Sequence, residues 1–307
     1  MCIICEGGDL TGITRLNIHD CTSLTTISNI KGLKELYCFS CTSLITISNI
    51  KGLKELHCYS CTSLTTISNI KRLQKFYSQN CTSLSFIPNI EGLKILDCSG
   101  CTSLTSIPNI KGLQELNCSY CSQLTVIFEG LERSIVTDES KDSKKSLIGG
   151  LQELNCSNCS QLTKIPLIKG LQILECYNCP QLTKIPLIEG LQELYCNDCP
   201  QLAEISLIKG LQLLFCSHCL ELTEIPLIKG LQQLNCYACL QLIKIPLIEG
   251  LQKLRCSGCS RLTKIPPIEG LQKLYCYNCP QLTKIPEGLG RSMTTGEFEG
   301  SKRPEGL

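Results

Sequence analysis

Residues 171–190 read LQILECYNCPQLTKIPLIEG, and near-copies of these twenty residues recur from Ile13 almost to the end of the chain. Numbering the unit 1 to 20, positions 1, 4, 12, 15 and 18 are almost always Leu or Ile, positions 6 and 9 are usually Cys, and position 20 is usually Gly. A fixed period of this length specifies stacked coils rather than a closed globule. Positions 3 to 7 have the apolar alternation of a short strand, so 4 and 6 point into the coil while 3, 5 and 7 point out. No single coil can bury its own apolar side, and stacking thirteen of them can. The expected architecture is a solenoid of stacked coils whose strands form one parallel sheet.

In chain order, residues 1–12 precede the array, and Cys2 and Cys5 do not fit its register, so this segment is expected to be a minimal or truncated cap. Coils one to six start at Ile13, Leu33, Leu53, Leu73, Leu93 and Leu113 and occupy residues 13–127, five of them with Asn at position 17. The rhythm breaks over residues 128–145, whose Ser, Asp and Lys content predicts a mobile insertion loop. SLIGG then resumes positions 16 to 20 in frame, and coils seven to thirteen start at Leu151, Leu171, Leu191, Leu211, Leu231, Leu251 and Leu271, mostly with Leu at position 17. This second stretch spans residues 146–290, and residues 291–307 are expected to be a flexible tail. The string IFEGLERS at 127–134 resembles IPEGLGRS at 285–292, which suggests two arrays joined end to end.

Position 16 is Pro in eight coils, at Pro88, Pro108, Pro166, Pro186, Pro226, Pro246, Pro266 and Pro286. Proline removes a backbone donor and favours extended backbone, so little room remains for a helix on the return path. Gly at position 20 suits a tight bend into the next strand.

The LxxL strand, the 20-residue period and the xLTxIPxIxG return resemble the short leucine-rich repeats of bacterial effector proteins that act inside host cells, and similar Cys-bearing repeats of large DNA viruses of amoebae. The resemblance covers residues 13–290 and implies a curved, right-handed leucine-rich-repeat solenoid that binds proteins, with the parallel sheet on its concave face and an extended or 3₁₀ convex side. The chain departs from those effectors at position 9, where they usually carry Asn and it carries Cys. Asn offers both an acceptor and donors and a thiol only a weak donor, so the turn is expected to be held less firmly. Some such proteins append a ubiquitin-ligase domain with a catalytic cysteine, and no stretch here is long enough to be one.

Composition narrows the functions. Lys plus Arg number 29 against 27 for Asp plus Glu, a net charge of +2, which gives no electrostatic reason to expect nucleic acid or anionic lipid as partner. The opening MCIICEGGDLTG lacks a signal-peptide pattern and no later segment approaches membrane-spanning length. A cytoplasmic protein is expected, in a host's cytoplasm if it is effector-like.

Twenty-six cysteines suggest at first a disulfide scaffold, but such chains are usually short and secreted. Two dozen of these cysteines occupy positions 6 or 9, and Ile18 and Ser78 stand at position 6 in the first and fourth coils. An Ile there marks an interior site. CxxC pairs recurring at sixteen-residue intervals match a four-cysteine zinc spacing, yet any CxxC in a 20-residue repeat generates that interval. The thiols are therefore expected to be buried apolar groups, with no metal ligand and no cofactor assigned. A thiol-rich metal-binding or redox protein is the competing reading.

Catalysis finds little support. His19, His57 and His218 belong to coils one, three and ten, and the last two would lie about 34 Å apart at the usual strand spacing. Glu35, Glu55, Glu115, Glu153 and Glu193 share position 3 as a solvated edge. The aromatic residues are more informative: every tyrosine lies at position 5, 7 or 8. Tyrosine combines large contact area with a polar tip. The candidate partner-binding residues are Tyr37, Phe39, His57, Tyr59, Tyr77, Tyr177, Tyr195, Phe215, Tyr237, Tyr275 and Tyr277, in two main clusters on one face. The expectation is a non-catalytic monomer that recognises a protein partner there, without nucleic acid or membrane.

Overall fold

The structure, a computed structural model, describes residues 2–128 and 148–283. Most of the insertion (129–145), residues 146 and 147, the end of the thirteenth coil from 284 and the tail (291–307) lie outside the described residues. Each coil contributes one strand to a single parallel sheet of thirteen. The first three strands, Arg15–His19, Glu35–Phe39 and Glu55–Tyr59, cover positions 3 to 7. From Lys75–Tyr77 onward they cover positions 3 to 5. Equivalent positions pair without slip, as in Leu36 with Leu56. The pairing crosses the insertion: Glu115 and Leu116 lie opposite Glu153 and Leu154.

Parallel pairing at a constant register stacks each apolar column on itself. Leu at positions 1, 4 and 12, Ile at 15 and 18, and Cys at 6 and 9 form one continuous buried core. Each buried Leu or Ile contributes about 1.5–3 kcal/mol relative to exposure, but only while neighbouring coils cover it. The two ends show this dependence. Cys2 is buried over the first coil with Ile4 and Leu10 packed beside it, while Leu274, Cys276 and Cys279 of the thirteenth coil are only half-buried.

Among the described residues, two backbone positions of the repeat adopt the left-handed conformation in coil after coil. Position 20 has φ between 80 and 107° at its glycines, with Arg72 at 71° as the exception. Position 8 is also left-handed, at φ 50 to 73°, and is glycine only at Gly100 and Gly258. Asn, Asp and Ser fill most of the others, the residues that tolerate this region best by bonding locally.

The return side is extended, without the 3₁₀ turns allowed by the proline pattern: among the described residues there is no helix of any kind. Two-residue strands at positions 14 and 15 instead form short parallel ladders, Thr26–Ile27 with Thr46–Ile47 and Thr66–Ile67, and Lys184–Ile185 with Glu204–Ile205. The ladder arises because Ile at position 15 must stack in register with its copy one coil away, which brings the neighbouring backbones within bonding range.

Candidate functional site

Positions 3, 5 and 7 of the strands form the outward face of the sheet. In coils one to four it carries two parallel columns of stacked rings. Along position 7, His19 lies 4.9 Å from Phe39 and Phe39 lies 5.0 Å from Tyr59, with planes within 9° of parallel. Along position 5, His57 is sandwiched between Tyr37 at 4.3 Å and Tyr77 at 4.5 Å. The columns touch through Tyr37 and Phe39 and through a 2.9 Å hydrogen bond between His57 Nδ1 and the Tyr59 hydroxyl. Strand spacing of about 4.8 Å imposes this contact, since it is close to the stacking distance of offset rings.

Charge rims the plate. The Arg15 guanidinium sits 4.6 Å above the Tyr37 ring and 3.5 Å from Glu35, whose carboxylate accepts the Tyr37 hydroxyl at 3.1 Å. Glu55 pairs with Lys75 at 3.0 Å, and that pairing holds its carboxyl below the ordinary range. Burial lowers the pKa of His57 and raises those of Tyr37, Tyr59 and Tyr77. His57 and these three tyrosines are therefore neutral at pH 7. Tyr37, Phe39, His57, Tyr59 and Tyr77 are half-buried against one another while His19 at the end of its column is exposed, so the expectation of solvent-facing side chains needs correction for those five.

The middle of the face is polar. Asp97 accepts from Gln79 at 3.0 Å and Asn117 at 3.2 Å, and Asn155 donates to Glu175 at 2.8 Å. Further along, Tyr195 stacks on Phe215 at 5.2 Å and donates to Glu193 at 2.8 Å. Tyr237 meets His218 edge-on at 5.1 Å, and Arg255 lies 4.9 Å above Tyr275. Tyr177 is half-buried and Tyr277 exposed, both in the position 7 column. The second cluster is thus a set of pairs rather than a plate. A dent beside Phe215, Asn235 and Arg255 holds about 10 Å³, room for about one water. This is a platform, not a small-molecule pocket.

Three features escaped the sequence reading. The first is the role of position 9: from coil two to coil thirteen, each of these thiols donates to the position 6 carbonyl of the preceding coil. Cys101 bonds Ser78 at 3.1 Å, Cys159 bonds Cys118 across the insertion at 3.2 Å, and Cys239 bonds Cys216 at 3.0 Å. The same bond is made by Cys41, Cys61, Cys81, Cys121, Cys179, Cys199, Cys219, Cys259 and Cys279. The signal was there, because position 9 is Cys in every coil while position 6 varies. Burial pushes the thiols of Cys38, Cys156 and Cys176 well above their usual pKa, the opposite of what nucleophilic chemistry needs.

The second is a stripe on the return side. Leu167, Leu187, Leu207, Leu227 and Leu247, all at position 17, are 49 to 52% exposed. The change from Asn to Leu at that position between the two repeat families was the visible clue. In the first family the Asn bonds the adjacent coil, as in Asn29 accepting from the Lys51 amide at 2.9 Å.

The third lies at the amino-terminal end, where Cys2, Cys5 and Cys21 come together with Cys5 exposed. Burial pushes Cys2 up to about 11. At Cys21 burial also raises the pKa, but hydrogen bonds from Ser23, Cys2 and Cys5 outweigh it and bring the thiol down to about 7.

No protein-family model matches the chain, and none of the curated proteins does. Solved structures similar to it include a leucine rich cell surface protein from Faecalibacterium prausnitzii A2-165, at 18% identity and a TM-score of 0.33, over 82% of this chain and 87% of that one. Another is a leucine-rich repeat protein from Bacteroides ovatus ATCC 8483, at 16% identity and a TM-score of 0.42, over 88% of this chain and 77% of that one.

Proposed function

We propose that this leucine-rich-repeat solenoid is a protein-binding scaffold that holds a protein partner against the outward face of its sheet and performs no chemistry of its own. The observation that carries this reading is the double column of rings in coils one to four. Six rings, His19, Phe39, Tyr59, Tyr37, His57 and Tyr77, are stacked into one surface and rimmed by Arg15, Glu35, Glu55 and Lys75. Their mutual packing fixes the rotamers before a partner arrives, so little side-chain entropy is lost on binding. Rigid aromatic anchors within a polar rim are where interface energy concentrates. The dent on this face, about 10 Å³, is too small for a small-molecule ligand, and the near-balanced charge favours neither nucleic acid nor membrane. We place the scaffold in a cytoplasm, as a monomer.

Photo-crosslinking tests this reading. A photoreactive residue at Phe39 should capture one partner protein in the native cytoplasm, while the same residue at Glu269 on the return side should not. The exposed leucines at position 17 favour a second reading, in which the return side is the working surface. Capture from Leu207 and not from Phe39 would establish that reading and sink the first.

A further inference from the structure

In the solenoid proper the position 9 thiols are committed to backbone carbonyls of the preceding coil, and Cys21 is excluded from this arrangement by its place. It belongs to the first coil of the register, and among the described residues no strand before Arg15–His19 offers a position 6 carbonyl. Its Sγ lies instead 3.6 Å from that of Cys5. The segment bearing Cys2 and Cys5 is folded into a tight turn, with Glu6 N donating to Cys2 O at 3.1 Å and Gly8 N to Ile3 O at 2.9 Å. That turn brings the three sulfurs within 4.8 Å of one another, and among the described residues it is the one group of three or more His, Cys, Asp or Glu ligand atoms so close together. The CxxC pairs within the repeats, despite their zinc-like spacing, do not gather a third ligand.

We propose that Cys2, Cys5 and Cys21 form a three-thiolate site for a soft metal ion of the zinc class. Zinc–sulfur bonds of about 2.3 Å in a tetrahedron put neighbouring sulfurs about 3.8 Å apart. The Cys5–Cys21 separation of 3.6 Å already matches that edge, and Cys2 need close by no more than about 1 Å. Cys2 and Cys5 supply the two-residue spacing common in such sites, and Cys21 supplies the anchor to the rigid core. On binding, each thiol releases its proton to solvent and gives a sulfur lone pair to the ion. Exposed Cys5 provides the entry path. The fourth position faces the Ser23 hydroxyl, which lies 3.4 Å from Cys5 and 3.7 Å from Cys21, and is left for water or an external ligand. The bound ion would fasten residues 2–12 onto the first coil. No metal ligand is expected from the sequence anywhere in the chain; that expectation rests on repeat positions 6 and 9, and Cys2 and Cys5 stand outside that register.

The test uses the full chain, reduced with a phosphine and titrated with zinc in competition with a chromophoric chelator, then with cadmium to read thiolate-to-metal absorption. One ion per chain is expected. Supporting partners alone change metal affinity 10–100-fold, so loss of a ligand in Cys5→Ser should weaken binding by at least about tenfold. Cys279→Ser, at the far end, should leave binding unchanged. Cys5 is exposed and Cys279 half-buried, and unchanged circular dichroism would verify that both variants fold. Absence of zinc uptake by the reduced chain overturns the proposal. So does uptake that survives the double change Cys5→Ser with Cys21→Ser, which would put the metal on the repeat thiols.

Discussion

The thiol of Cys199 donates to the carbonyl of Cys176 at 3.1 Å, across two adjacent coils and twenty-three residues of chain. The carbonyl is that of position 6, one residue past the strand Ile173–Glu175, where the backbone leaves the sheet, and the thiol is the donor that satisfies it in the core. Cys199→Ala should therefore lower stability by about 1–3 kcal/mol, the penalty for leaving a buried acceptor unsatisfied. Urea denaturation followed by circular dichroism measures it. A change below about 0.5 kcal/mol would mean that the thiol acts by volume alone.

Arg72 occupies the left-handed corner that glycine fills in neighbouring coils, at φ 71°. A side chain in that region costs about 1–2 kcal/mol, while glycine gives back part of this through its more flexible unfolded state. Arg72→Gly should raise stability by about 0.5–1 kcal/mol. An unchanged or lowered denaturation midpoint would show that Arg72 makes a compensating contact.

The ring columns separate binding from folding only in part. Tyr59→Ala should weaken partner binding at least about tenfold, the effect of losing one central aromatic anchor. It should also cost about 1–2 kcal/mol of stability through its contacts with Phe39 and His57. Tyr195→Ala tests the second cluster in the same way. Charge reversal at Lys184, an exposed residue paired with Glu204 at 2.7 Å, should change stability by no more than about 0.5 kcal/mol and leave binding intact. A partner sensitive to Lys184→Glu and indifferent to both tyrosines would exclude the sheet face.

Thiol accessibility should be sharply graded. Under anaerobic, metal-free conditions native protein should be alkylated first at exposed Cys5, then at half-buried Cys276 and Cys279, while the thiols buried within the array remain protected. All 26 should react after denaturation. Mass mapping that found early labelling at Cys98 or Cys176 would contradict the closed core.

Acid should loosen the amino-terminal coils in two stages. His57 has its pKa lowered from an ordinary 6.5, chiefly by burial between Tyr37 and Tyr77. Below about that pH the unfolded chain binds a proton that the folded site resists, so the stabilisation from the neutral ring is present above it and declines as pH falls. Glu55, whose pKa is lowered by Lys75 from an ordinary 4.5, contributes above that value and is lost as pH falls through its folded pKa. Nuclear magnetic resonance titration of His57 should give a value below 6.5, and one above it would reverse the first stage.

The period of 20, a strand beginning at position 3 and the division of each coil into buried and outward columns are all legible in the sequence, although the strand expected at positions 3 to 7 ends at position 5 from the fourth coil onward. They follow from local alternation and from each coil's inability to bury its own apolar side. The columns holding the aromatic residues were legible too, because a constant register sends every copy of a position to the same face. What the rings do to one another was decided by stacking: Tyr37, His57 and Tyr77 are twenty residues apart, and only the separation of paired strands turns three outward side chains into one surface. The hydrogen bond of Cys199, the left-handed turn at position 8 and the return-side ladders depend likewise on which backbone groups a neighbouring coil leaves unpaired. Cys2, Cys5 and Cys21 share no repeat position, and the turn that brings them together closes over the first coil. Their proximity belongs to the tertiary structure because a periodic pattern describes what lies between identical neighbours, and the turn carrying Cys2 and Cys5 does not share that pattern.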